Sequence, residues 1–269
     1  MLLAVTPRSY EFLSPVYKID RLYKSMTGPQ SSTKFAILEK ESPQLLWITG
    51  YRAIMVGADG ITPMPQEFMC HSNLDLDIQE HRRLFQWNKT AAHRMFTLSQ
   101  GQFEIKFPDG FGVPIYSNEI FTLTTQVLNL NFEDQEYQVR HKVMINYLFD
   151  HELEKEMKPL FMKAANGLVL VNGENGYYNV DIPDKNLHGE GCLIGHSASG
   201  KVRTDKYGPE FAGHWVLKPG KQSNKTLVTN WMNLPFDTTL HYIAVHLHPF
   251  AEFLELRDLT ADKSILKAE

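Results

Sequence analysis

Tyr137-Gln-Val-Arg-His-Lys-Val-Met-Ile-Asn-Tyr-Leu-Phe149 is the stretch whose pattern sets the fold class. Its odd positions carry Val139, His141, Val143, Ile145, Tyr147 and Phe149, and its even positions include Arg140, Lys142 and Asn146. In an extended chain, successive side chains point to opposite faces. A period of two held this long predicts a half-buried strand of an antiparallel sheet.

Similar signals lie on both sides of it. Leu45 to Gly57 is β-rich and ends at Ala-Asp59-Gly60, a hairpin-type turn. Gln102 to Phe107 alternates and is closed by Pro-Asp109-Gly110, and Phe121 to Asn131 is rich in Thr, Val and Leu. Further strands are expected at His214 to Leu217, Thr226 to Met232, Thr239 to His248 and Phe253 to Leu256. Residues 151–165 read as helix, with Leu153, Met157 and Phe161 at helical spacing and Pro159 limiting it to two short turns. From Gly167 to Gly213 the chain is rich in glycine, Asn, Asp and Ser, a connection too long to be a passive linker. The expected architecture is all-β. It consists of two antiparallel β-sandwich domains, 1–155 and 156–269, joined by this glycine-rich connection. The second is short of strands, which implies hidden strands, more chain, or a partner over an open edge. A single barrel with large insertions is the other arrangement.

The balance of 27 basic against 31 acidic side chains gives no electrostatic footprint for nucleic acid or an anionic membrane. No apolar run is long enough for a transmembrane helix, and Met1 to Arg8 lacks the charged first part of a signal peptide. Cys70 and Cys192 are far apart, and either a disulfide between them or two buried thiols fits. Asn88-Lys-Thr90 and Asn224-Lys-Thr226 match the short glycan-acceptor pattern. Dinucleotide, phosphate-loop and nucleophile-elbow motifs are absent.

The residues with the most metal-like spacing are His246 and His248, in His241-Tyr-Ile-Ala-Val-His-Leu-His-Pro. In a strand they share a face, and two imidazoles can fill two positions of a copper, zinc, nickel or iron site. Bonding of both rings to backbone or solvent is the alternative. His71, beside Cys70 and Met69, is a further candidate. His141 reads as a satisfied core histidine, and His81 and His93 as surface residues. His196 and His214 flank the glycine-rich region.

The strand from Leu240 to Phe250, followed by Leu254-Glu-Leu-Arg-Asp258, resembles the second domain of the type II copper monooxygenases, among them the peptidylglycine hydroxylases and dopamine-hydroxylating enzymes. Trp47 to Leu74, with Asp59-Gly60 and Cys70-His71-Ser, resembles the entry to their first copper site. The nearest flavour is that of their nodulin-like relatives with His-Leu-His-Pro. The resemblance implies two β-sandwich domains with one copper each, and a copper- and dioxygen-dependent hydroxylation of a small organic or peptide substrate. It also implies a secreted or extracytoplasmic location. By this likeness His246 and His248 belong to the oxygen-activating copper and His71 to the electron-passing one. Cys70 stands where the family has a histidine, Gln126-Val-Leu-Asn129 has none where a third is expected, and the methionine ligand has no counterpart beyond a nearby Met232. A non-catalytic double sandwich, a binding or structural component with degenerate copper sites, is therefore the second expectation.

Overall fold

The computed structural model describes residues 7–23, 27–38, 42–86, 92–132, 135–170, 203–204, 210–212, 220–232, 234, 236–247 and 250–269. By internal contacts the chain divides into two compact units. Residues 1–162 and 238–269 form one unit, and 163–237 another.

The first unit holds β1 (Arg8–Leu13), β2 (Tyr17–Ile19), β3 (Gln30–Phe35), β4 (Leu45–Gly57), β5 (Met69–Leu76), β6 (Arg94–Leu98), β7 (Glu104–Lys106), β8 (Phe111–Tyr116), β9 (Phe121–Val127), β10 (Tyr137–Phe149) and β11 (Lys158–Pro159). A 3-10 turn, Gln66–Phe68, precedes β5, and one short helix, α1, spans Ile78–Leu84. A seven-stranded sheet runs β1-β10-β4-β8-β11, with β2 also on β10 and β7 also on β4; a four-stranded sheet runs β3-β9-β5-β6.

β10 has the ends that its alternation predicts, and every odd position from Val139 to Phe149 is buried. It lies antiparallel to β1, β2 and β4, so its apolar face is the centre of the larger sheet. β4 also runs over the residues read as strand, and Gly60 closes its turn at φ 74°, a left-handed conformation that glycine adopts without strain. Asp59 Oδ1 accepts from Ile61 N and Thr62 N, both at 2.9 Å, which fixes that turn.

The two sheets face each other across one core. Tyr51 of β4 reaches Ser72 of β5 (Oη to Oγ, 2.6 Å) and stacks on Phe96 of β6 at 5.1 Å between centroids. Tyr17 of β2 reaches Thr125 Oγ1 of β9 at 2.6 Å. Tyr10 and Phe12 of β1 both stack on Phe35 of β3. Buried side chains from both sheets, such as Ile48, Leu74, Phe121 and Val143, form a single cluster. The unit is a β-sandwich.

Three expected elements differ. Residues 151–165 are not an α-helix: after a 3-10 turn at Asp150–Glu152, Lys158 N donates to Gly110 O and Leu160 N to Gly112 O, so the rest of the segment runs extended along β8. The spacing of Leu153, Met157 and Phe161 was met by extended packing at Pro159, which has no N–H to continue a helix. Residues 239–247 carry the alternation of a strand yet form no ladder. Instead His241 packs tilted against Phe111 and Tyr242 packs edge-on to Phe107. Thr226 to Met232 ends in a helical turn, Thr229–Met232, closed by Trp231 N and Met232 N on Val228 O.

The antiparallel hairpin β15 (Leu254–Asp258) and β16 (Lys263–Ala268) belongs to the first unit's residues. The second unit contains β12 (Val169–Leu170), β13 (Arg203–Thr204) and β14 (Glu210–Ala212), in the order β12-β14-β13. Buried Leu168 and Phe211 pack there with Leu227 and Trp231. The chain is thus a largely β-strand fold with several sheets. None of the helices described is long and apolar enough to cross a membrane.

Candidate functional site

Among the described residues no group of three His, Cys, Asp or Glu side chains could hold a metal ion, so the expected metal-binding site is corrected. His71 lies in β5 beside a bulge between Met69 and His71. His246 is half-buried in the segment before β15, and His248, His196 and His214 lie outside the described residues. The premise that placed His246 and His248 on one face was a strand, and residues 239–247 form none. The disulfide is corrected too. Cys70 is a buried thiol, the described residues contain no disulfide bond, and Cys192 lies outside them.

Two other histidines depart from their sequence reading. His81 is fully buried in α1, its Nδ1 2.8 Å from Glu119 Oε2, rather than at the surface. Glu119 Oε1 also accepts from Tyr116 N at 2.6 Å. His141 is a core residue as expected, but neither ring nitrogen has a hydrogen-bond partner among the described residues. Burial, and secondarily the charge of His71, push its imidazole down to about 3.

The structure builds one loop-lined site that the sequence reading did not assemble. β5 begins where β9 and β6 end, because β5 is antiparallel to both. Three connections therefore meet at one end of the four-stranded sheet: the turn before β5, the residues after β6, and those after β9. Loops clustered at a sandwich end are a common place for binding residues. Here they enclose a cleft of about 500 Å³ lined by Glu67, Gln100, Leu130, Asn131, Phe132 and Phe250, with Phe68 and Asn129 at its base. That size lies in the range of small-ligand sites.

Asn129 shapes this cleft. Its side chain is buried, and its Nδ2 donates to Arg21 O at 2.9 Å and Phe132 O at 2.7 Å. Its Oδ1 accepts from Phe132 N at 3.0 Å and Asn131 N at 3.4 Å, an Asx-type turn that brings Asn131 and Phe132 round to the cleft. Leu128 N donates to Phe68 O, and Asn129 exchanges backbone bonds with Tyr23. Phe132 packs on Phe68 and Tyr137, at 5.3 and 5.6 Å between centroids. Replacing Asn129 with alanine should therefore cost about 2–3 kcal/mol, since buried backbone groups lose their partners. Urea unfolding measures this, and a variant within about 0.5 kcal/mol of wild type would show that the loop holds itself.

At the rim, Gln100 Nε2 donates to Glu67 O and Asn131 Nδ2 to Glu67 Oε2 at 3.3 Å. Ser99 Oγ, next to Gln100, donates to Leu247 O at 3.2 Å, which ties the segment leading to Phe250 onto the end of β6. Phe250 itself is 94% exposed. The sequence signal was weak: Asn129 and Asn131 sit at the end of a run read only as strand, and nothing local links them to Glu67, Gln100 or Phe250.

A second cleft, of about 540 Å³, lies beside α1. Its charged groups are committed to the fold. Arg83 bridges to Glu80, Asp77 caps α1 through Gln79 N and Glu80 N, and Glu119 holds His81. No protein-family model matches the chain, and comparison with curated proteins returns no match.

Proposed function

We propose that this chain is a non-catalytic β-sandwich binding module that takes its ligand in the cleft between Glu67, Gln100, Asn131 and Phe250. The observation that carries the reading is Phe250, an almost fully exposed aromatic ring at the mouth of a cleft whose rim is set by hydrogen bonds. Exposed large aromatic side chains beside convergent polar groups are typical of recognition sites. Glu67 is the one ionisable side chain lining the cleft among the described residues, which does not supply the paired acid and base that hydrolytic chemistry uses.

The finer fold belongs to the same reading. We read the first unit as a jelly roll, supported by the strand order β1-β10-β4-β8 in one sheet and β3-β9-β5-β6 in the other, with the chain crossing repeatedly between sheets. Residues 163–237 form a second, smaller β module. The likeness to the copper monooxygenases is then one of scaffold, and fold does not fix function.

A thermal-shift screen of a chemically diverse small-molecule set, run on wild type and Asn131→Ala, tests the site. Compounds that raise the Tm of the wild type should lose their effect in the variant. Stabilisation that persists in Asn131→Ala would place binding elsewhere.

A further inference from the structure

We propose that the ligand of this cleft is a neutral oligosaccharide, an inference that rests on the cleft being the binding site. Three features of the lining narrow the chemistry.

First, no Arg, Lys or His lines it among the described residues, and its one charge is the Glu67 carboxylate. Phosphates, carboxylates and other anions would meet repulsion there with no cation to offset their desolvation. Second, the rim is polar. Gln100 and Asn131 each spend a donor on Glu67, while their carboxamide oxygens accept no hydrogen bond among the described residues. Carboxamides and a carboxylate are matched to vicinal hydroxyls, which donate and accept in one plane. A wholly apolar ligand would leave these groups unpaired. Third, the aromatic surface is one open ring and one half-open ring rather than a cage. Phe68 is fully buried beneath Phe132, which leaves Phe132 partly and Phe250 fully accessible. A cation is best held by several ring faces. The C–H face of a pyranose needs only one flat ring to lie on, with its hydroxyl edge turned to the carboxamides.

Phe250 also sits at φ 74°. A bulky aromatic residue in the left-handed region is an outlier, and such conformations concentrate at ligand-binding positions. Here the turn follows the segment tied to the sandwich by Ser99 and Leu247, and presents the ring outward beside Gln100.

Affinity electrophoresis and calorimetry with cellopentaose, maltopentaose and chitopentaose test this, using the full chain, Phe250→Ala, Asn131→Ala and Arg83→Ala. At least one oligosaccharide should bind the wild type. Its affinity should fall about tenfold in Phe250→Ala and in Asn131→Ala, and hold in Arg83→Ala at the other cleft. Phe250 is exposed, so its replacement leaves the core intact. Binding of no oligosaccharide at millimolar concentration overturns the proposal, as does binding that both cleft variants retain. Choline or inorganic phosphate bound at Asn131 in place of sugar overturns it as well. If the thermal-shift screen still finds compounds sensitive to Asn131→Ala, the ligand class alone is wrong; if that fails too, the cleft is not the site.

Discussion

Between pH 6.5 and pH 3 the protein is expected to lose roughly 4 kcal/mol of folding stability through one side chain, His141, at about 1.4 kcal/mol per pH unit. The imidazole is fully buried on β10, and its proton affinity is pushed from 6.5 down to about 3 by desolvation and by the charge of His71. In this window the unfolded chain binds the proton and the native chain does not. Stability therefore rises with pH through the window and falls as acid is added. Above pH 6.5 the ring is neutral in both states and the effect vanishes.

His141→Leu removes the titration. It also removes two ring nitrogens that lack partners among the described residues, so at pH 7 the variant should be as stable as wild type or better by about 1 kcal/mol. The difference should widen on acidification, because carboxylates common to both proteins cancel in the comparison. Urea unfolding at half-unit steps from pH 7 to pH 4 gives the two curves. Parallel curves would mean that His141 has a proton or a partner in the native state.

The second large effect lies at Tyr51, which is fully buried at the centre of β4. Its ring stacks nearly parallel on Phe96 and its hydroxyl meets buried Ser72, so one side chain joins the two sheets by packing and by a hydrogen bond. Burial also pushes its phenol well up, which keeps the hydroxyl protonated and able to donate. Tyr51→Ala should cost about 3–5 kcal/mol, since a large cavity opens between sheets that collapse only partly. Tyr51→Phe keeps the ring and should cost about 1–2 kcal/mol through loss of the bond to Ser72. Denaturant midpoints with unchanged slopes would measure both. Near-equal losses in the two variants would assign the stability to the hydrogen bond rather than the packing.

These effects follow the parts of the fold that the sequence shows most clearly. β10 alternates over 13 residues, and burial of one whole face enforces that register, while β4 shows as a β-rich run closed by the Asp59-Gly60 turn. Where the pattern was shorter, long-range contacts decided. Residues 239–247 alternate, but they join no ladder; a hydrogen bond from Ser99 Oγ to Leu247 O and ring contacts to Phe107 and Phe111 hold them instead. Residues 151–165 have helical spacing, but the open side of β8 offered backbone partners to Lys158 and Leu160. His81 looked exposed because its neighbours Glu80, Arg82 and Arg83 are charged, and only the distant Glu119 explains its burial.

The site was less legible than the fold. Histidine spacing is visible in one dimension, so it drew the reading towards a metal at His246 and His248, and the family resemblance then named copper and added His71. The cleft depends on which loops share an end of the sandwich. Glu67, Gln100, Asn131 and Phe250 come from four separate segments, and no local pattern links them. Their meeting follows from β5 lying between β9 and β6, a pairing that spans more than 50 residues of chain.

The most direct test of the cleft is backbone amide mapping by NMR, with the protein titrated by the compounds that raise its Tm. Shift changes should concentrate at Glu67, Gln100, Leu130 to Phe132 and Phe250, and be lost in Phe250→Ala. Changes centred instead on α1 and Asn118 to Ile120, or spread without focus over the sandwich, would contradict the account.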